Sequence, residues 1–244
     1  MVTRNNLLSK IASTKWGADA KTLKQTAMAL SYSTAEYCAP VWERSSHAKK
    51  VDIELNKACR LITGTLRSTP VPVLYKLAGI APPDIRRDAI ARMEKTKQVN
   101  DPRHPLYNHP ETRRRLKSRK SFMTVKELET QDLSKYRLQK WRERDTQTHN
   151  SAIPNPSEDL PSGFSLTRRK WVTLNRARAK VGRTGDNFHR WGYTNSAECQ
   201  CGEPNQTMTH ILLNCPLGPI CLDTDLKAAN DRALQWVEKW CDKI

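Results

Sequence analysis

No stretch of these 244 residues comes near the ~18 consecutive apolar residues of a membrane-crossing helix, so no span is expected. The first 30 residues also lack the apolar core of a secretory signal. Acidic side chains are in short supply: 25 Asp and Glu stand against 42 Lys and Arg, a net charge of +17. That deficit points to a polyanionic partner, nucleic acid ahead of an acidic membrane surface. The seven cysteines cannot all pair, and without a secretory signal a disulfide framework is not expected. The chain should work in a reducing compartment, the nucleus or the cytoplasm. With 37% hydrophobic residues it can still bury a core, in domains of modest size.

The chemistry the sequence does hold is concentrated in CQCGEPNQTMTHILLNC, from Cys199 to Cys215. Cys199, Cys201, His210 and Cys215 offer three thiols and one imidazole, the ligand set of a tetrahedral structural Zn²⁺ site. Gly202 can take the left-handed conformation that a tight metal turn needs. Thr207 or Thr209 suits an N-cap, after which HILLN reads as one or two helical turns. Residues five apart on one helix point about 140° apart, so His210 and Cys215 cannot share an unbroken one. Pro216 biases Cys215 out of the helix and removes the conflict. The pattern is a CCHC knuckle in outline, with Cys221 as a substitute ligand.

Residues 1–100 show no strand alternation and read as a helical bundle. Leu7, Leu8 and Ile11 mark a short amphipathic helix, and Ala18 to Leu30 a second without a breaker. Ser33 or Thr34 is expected to cap the next piece and Pro40 to break it. Val51, Leu55, Cys59 and Ile62 recur at helical spacing up to Gly64. Thr69-Pro70 and Pro82-Pro83 each open a further helix.

Several of these motifs carry a resemblance. EYCAPVW (Glu36 to Trp42), LNKACRLITG (Leu55 to Gly64) and the L-x-x-L-x-G-I-x-P-P run from Leu74 to Pro83 resemble the segment after the polymerase core in LINE-type retrotransposon reverse transcriptases, the non-LTR, jockey-like kind. LNRARAKVGRTGDNFHRWG (Leu174 to Gly192) and CQCGEPNQTMTHILLNCP are similar to the C-terminal knuckle region of the same elements. The resemblance implies a helical thumb and connector that grips a template–primer duplex, followed by the knuckle. It also meets a departure. Polymerase chemistry needs paired carboxylates around two Mg²⁺ ions about 4 Å apart, which the family supplies from an Asp-Asp pair. No Asp-Asp occurs in this sequence, and Asp19 stands alone. What the resemblance implies is a noncatalytic C-terminal portion that binds RNA or DNA, with the polymerase core of the same element as a further partner. Two rival readings are an accessory part of an active polymerase whose core lies upstream or on a separate chain, and a host zinc-knuckle protein.

The middle of the chain is basic and proline-rich. His104 and His109 are expected to be exposed turn residues. Arg113, Arg114, Arg115, Lys117, Arg119 and Lys120 fall within eight residues with no acidic partner, a candidate phosphate-binding patch. Leu138 and Trp141 should pack inward. Ile153 to Gly163 reads as a linker, dividing a bundle (1–100) and connecting region (101–163) from a C-terminal domain (164–244).

In that last part a helix is expected over Ser165 to Lys180. Its inner stripe is Leu166, Trp171, Leu174 and Ala177. Arg168, Arg169, Lys170, Arg176, Arg178 and Lys180 are expected on a positive outer surface. Arg183 and Arg190 extend that charge toward the knuckle. Phe188 and Trp191 are expected in the small core, leaving Tyr193 to stack on an unpaired base. One amphipathic helix, Asp225 to Lys243, should close the chain. The expected fold is mainly α, a helical bundle followed by a small helical domain with a CCHC zinc knuckle.

Overall fold

A computed structural model gives the fold and describes residues 1–109, 124–128, 132–145, 151–241 and 243–244. The run from Arg113 to Lys120 lies outside the described residues. Among the described residues the protein is helical, with no strand, in agreement with the mainly α expectation.

The N-terminal helices are α1 (Val2–Ile11), α2 (Ala20–Ala27), α3 (Ser33–Glu36), α4 (Ala39–Trp42), α5 (Ala48–Thr63), α6 (Val71–Ala78) and α7 (Pro83–Asn100). Only Leu8 of the expected α1 stripe is buried, against Leu23, Tyr32, Leu55, Ile62 and Leu74, while Leu7 and Ile11 face solvent. No cap forms at Ser33 or Thr34. A π-helical turn, Met28–Tyr32, carries α2 straight into α3, and both hydroxyls donate back to the carbonyls of Ala29 and Leu30. The break comes at Cys38, in the left-handed region at φ 52°, and Pro40 sits in the first turn of α4. Gly64 ends α5 as expected, and α6 begins after Pro70.

Two of the resemblance motifs meet in this bundle. Glu36 forms an ion pair with buried Arg86, whose guanidinium also lies 5.3 Å from the Tyr32 ring centre. Arg87 pairs with Asp52 at 2.5 Å and covers the Trp42 ring at 5.5 Å. The EYCAPVW and IRRD segments therefore hold each other.

Helix α8 (Leu133–Arg144), capped by Asp132, sends Trp141 into the same core. The proline-rich stretch that follows is packed. Glu158 takes a two-pronged bond from Arg137 at 2.6 and 2.8 Å, and Ala152 and Ile153 are buried. His104 is half-buried, with Nε2 3.0 Å from Glu94 and Nδ1 accepting from the Leu106 N–H, whereas His109 is exposed.

The last helices are α9 (Arg168–Arg178), α10 (Gly185–Arg190), α11 (Met208–Leu213), α12 (Asp223–Ala228) and α13 (Asp231–Trp240). The single closing helix expected from Asp225 onward is two. Ala229 turns left-handed at φ 54°, and Asn230 caps α13 by accepting from Ala233 N–H at 3.1 Å. Leu174, Ile211, Leu226, Trp236, Val237 and Trp240 form the second core.

Helix α9 sits between the two cores and is buried nearly all round. Four of its side chains donate to the end of α5. Arg168 reaches the carbonyls of Leu61 (2.6 Å) and Ile62 (2.5 Å), and Trp171 Nε1 reaches Ile62 (3.1 Å). Asn175 reaches Thr63 (3.2 Å), and Arg176 reaches Gly64 (3.1 Å). A helix C-terminus leaves its last carbonyls without backbone partners and carries partial negative charge, which these donors answer. On the opposite side Arg178 bonds the carbonyls of Leu226 (2.8 Å), Lys227 (3.2 Å) and Ser162 (2.8 Å). Arg168, Arg176 and Arg178 are thus interior side chains, not part of a positive outer surface. Burial pushes all three guanidiniums down to about 10, with Arg176 adding to the effect on Arg168 and Arg183 to that on Arg176.

Candidate metal centre and its basic surroundings

The backbone around the cysteines folds back on itself in short steps. Cys199 N–H donates to Glu203 O at 2.8 Å, Gly202 N–H to Cys199 O at 2.9 Å, and Gln206 N–H to Ala197 O at 2.7 Å. Gly202 takes φ 93°, the left-handed turn its position called for. Of the two candidate caps, Thr207 serves, its hydroxyl accepting from His210 N–H at 3.1 Å. Helix α11 then carries His210, and the Cys215 N–H closes on His210 O at 2.9 Å, beyond the helical turns. That geometry returns Cys215 to the histidine's side.

The result is one cluster. Sγ of Cys199, Cys201 and Cys215 and a ring nitrogen of His210 all lie within 4.8 Å of one another. Cys199 and Cys215 are 3.8 Å apart, and Cys201 Sγ is 3.3 Å from His210 Nε2. These four residues could hold a metal ion. Cys221 belongs elsewhere: it is fully buried among core residues, and burial pushes its thiol up to about 12.

Burial opposes ionisation of Cys199, but hydrogen bonds from the Cys201 N–H, the Gln206 amide and the neighbouring ligand residues outweigh it and hold this thiol low. Burial, helped by the nearby Cys199, holds Cys215 high. The pair is poised as one thiolate and one thiol.

Gln206 joins this cluster to the aromatic segment. Its Nε2 donates to Cys199 Sγ at 3.4 Å, and its Oε1 accepts from the Gly185 N–H at 2.8 Å. Its carbonyl also receives the Asp186 N–H at 3.3 Å. The start of α10 is therefore pinned to a ligand's neighbour. At the other end of α10, Gly192 N–H returns to His189 O and Tyr193 N–H to Phe188 O, a Schellman closure. That closure packs Phe188, Trp191 and Tyr193 edge to face, with ring centres 6.0, 6.0 and 6.5 Å apart. Phe188 is half-buried, but Trp191 is 40% exposed and so is a surface residue, not core; Tyr193 is 76% exposed.

Charge around the triad is uneven. Lys170 pairs with Glu238 at 2.5 Å, Lys180 with Asp223 at 3.1 Å and Arg190 with Asp186 at 2.8 Å. Arg169 and Arg183 are exposed and line a pocket with Lys15 and Lys243. Sequence reasoning missed Lys15 and Lys243. Neither stands in a charged run near the knuckle, and only the fold brings them to Arg183. No helix among the described residues is long and apolar enough to cross a membrane. No protein-family model matches the chain, and no curated protein or solved structure matches it either.

Proposed function

We propose that this protein binds nucleic acid without catalysing a reaction on it, through a C-terminal region ordered by one Zn²⁺ ion. The observation that carries the reading is the exposed aromatic triad held, through Gln206, beside a four-ligand Cys/His cluster in a chain of net charge +17. Aromatic faces take up unpaired bases while cations hold phosphates.

Zinc is the metal that fits the donor set. Tetrahedral coordination with Zn–S of about 2.3 Å and Zn–N of about 2.0 Å sets S···S edges near 3.8 Å and S···N edges near 3.5 Å. The measured separations of 3.8 and 3.3 Å lie close to those values. Cys199, Cys201, His210 and Cys215 would hold the ion, and its role would be structural, since all four positions are supplied by the chain.

The resemblance to the C-terminal region of LINE-type reverse transcriptases supports the same reading and assigns the grip to RNA or DNA of such an element. The test is titration of a fluorescent single-stranded 20-mer across salt concentrations, with zinc measured by elemental analysis. One zinc per chain is expected. Five or so phosphate contacts would give a slope of log K against log salt of about −3.5. A slope near zero would reduce the positive charge to a solubility feature.

A further inference from the structure

The described cations around the knuckle divide into two kinds. Lys170, Lys180 and Arg190 each face a carboxylate. Lys15, Arg183 and Lys243 do not, and these three converge, with Arg169, on one pocket of about 200 Å³. Its remaining walls include Thr14, Thr173 and Phe188, and none of the lining side chains is a carboxylate. Arg176 also reaches the pocket but is occupied, donating to Gly64 O and to the main-chain oxygen of Ile244 at 2.6 Å. Like charges gathered without a counter-charge repel, and Arg183 is near enough to help depress the buried Arg176. An incoming anion would relieve that repulsion.

Size narrows the anion. The pocket's volume is that of roughly six or seven waters, room for a phosphate group with its hydration. It is well short of the about 300–1,000 Å³ of a cleft that takes a whole drug-sized ligand. Phe188 narrows it further, because it forms part of the pocket wall and part of the aromatic triad, 6.0 Å from both Trp191 and Tyr193. A phosphate in the pocket would have stacking surface beside it, which a nucleic-acid strand can use and a lipid headgroup cannot.

We propose that the pocket formed by Lys15, Arg183 and Lys243, with Thr14 and Thr173, seats one backbone phosphate of a single-stranded nucleic acid whose adjoining base lies toward Trp191 and Tyr193. This deepens the nucleic-acid reading above and rests on it. The pocket joins the loop after α1 to α9 and the end of the chain, so strand binding would clamp the two cores together.

The test compares the zinc-loaded parent with Lys15→Gln/Arg183→Gln, both at exposed positions, and with Lys170→Gln/Lys180→Gln, which removes two charges already paired. Each is titrated with inorganic phosphate, with a single-stranded 12-mer and with phosphatidylserine vesicles, after thermal melts verify folding. Phosphate should saturate at one per chain in the parent and weaken tenfold or more in the pocket variant. Strand affinity should fall at least tenfold there, with the salt slope flatter by about 1.4 for two lost contacts. The control should change both by less than threefold. If the parent binds strands and the pocket variant binds them equally, or the control loses as much, the pocket proposal is overturned and the broader reading survives. If the parent binds no strand at any salt, both fall. If only the vesicles depend on Lys15 and Arg183, a membrane headgroup replaces the strand and the proposal is overturned.

Discussion

Arg178 donates from Nε to the carbonyl oxygen of Leu226 at 2.8 Å, deep in the second core and wholly shielded from solvent. The same guanidinium takes the carbonyls of Lys227 and Ser162, so one side chain finishes the end of α12 and fixes the incoming loop. Arg178→Gln is expected to lower unfolding free energy by about 3 kcal/mol or more, at about 1–3 kcal/mol per buried acceptor left unpaired. Arg178→Lys keeps the charge but loses the planar fork, and should recover less than half of that. Urea unfolding monitored by tryptophan fluorescence would measure both. A loss below 1 kcal/mol in Arg178→Gln would mean that water replaces the guanidinium without cost.

That buried arginine also marks the limit of what the sequence disclosed. The helical class, the Gly64 stop and the four metal-ligating positions were legible because each rests on local spacing. The arginines of α9 were misread by counting charge instead of face. Arg168, Trp171 and Asn175 stand at i, i+3 and i+7 on a single stripe, so the face that buries Trp171 buries Arg168 as well. Their partners, the last carbonyls of α5, lie more than 100 residues earlier in the chain. No local pattern announces an acceptor that distant. The break at Ala229 was hidden for a different reason: a left-handed alanine leaves no compositional trace.

The contact between Gly64 and Val172 gives a second prediction. A Cβ on Gly64 would stand 2.2 Å from Val172 Cγ2, at a backbone φ of +70°. Gly64→Ala should cost about 1–2 kcal/mol for the left-handed backbone alone, with the clash added to it. In a Val172→Ala background the clash is removed, and only the backbone part should remain. A double-mutant cycle by urea unfolding reads the coupling. Additive losses would show that the packing yields freely.

Metal affinity should depend on pH with a definite sign. In the metal-free fold Cys215 is pushed up to about 11 by burial and by Cys199, so it carries its proton at neutral pH. Binding as a thiolate expels that proton. Apparent affinity should therefore rise at least tenfold per pH unit between pH 6.5 and 8.5. Cys199, held down at about 6, is already ionised there and adds a second proton only as pH falls below that value. Competition with a chromogenic chelator across this range would check the slope, and a flat profile would contradict the ligand assignment.

Ligand identity can be separated from burial by comparing cysteines. Cys201→Ser should abolish stoichiometric zinc, because the cluster loses one of its four donors. Cys221→Ala should keep zinc while losing about 1–2 kcal/mol of stability to the cavity left in the core. Cys38→Ser, at an exposed position, should change neither. Elemental analysis of the three variants decides the set. Zinc retained in Cys201→Ser but lost in Cys221→Ala would move the site.

The aromatic triad should contribute affinity that salt does not touch. Trp191 and Tyr193 carry no charge, so Trp191→Ala and Tyr193→Ala should weaken binding of a single-stranded oligonucleotide by about 1–3 kcal/mol each. The salt slope should remain that of the parent, since counterion release follows phosphate contacts. Duplex binding should hardly change, because paired bases offer no free face. Metal removal should imitate these variants. Without the ion, Cys199 is no longer fixed, Gln206 loses its anchor, and the start of α10 loses the two bonds that orient it. Chelation should therefore erase the parent's preference for unpaired strands yet leave Trp191→Ala/Tyr193→Ala nearly as it was. Equal loss in both proteins would mean that the metal supports the fold at large and the triad has no part in base recognition.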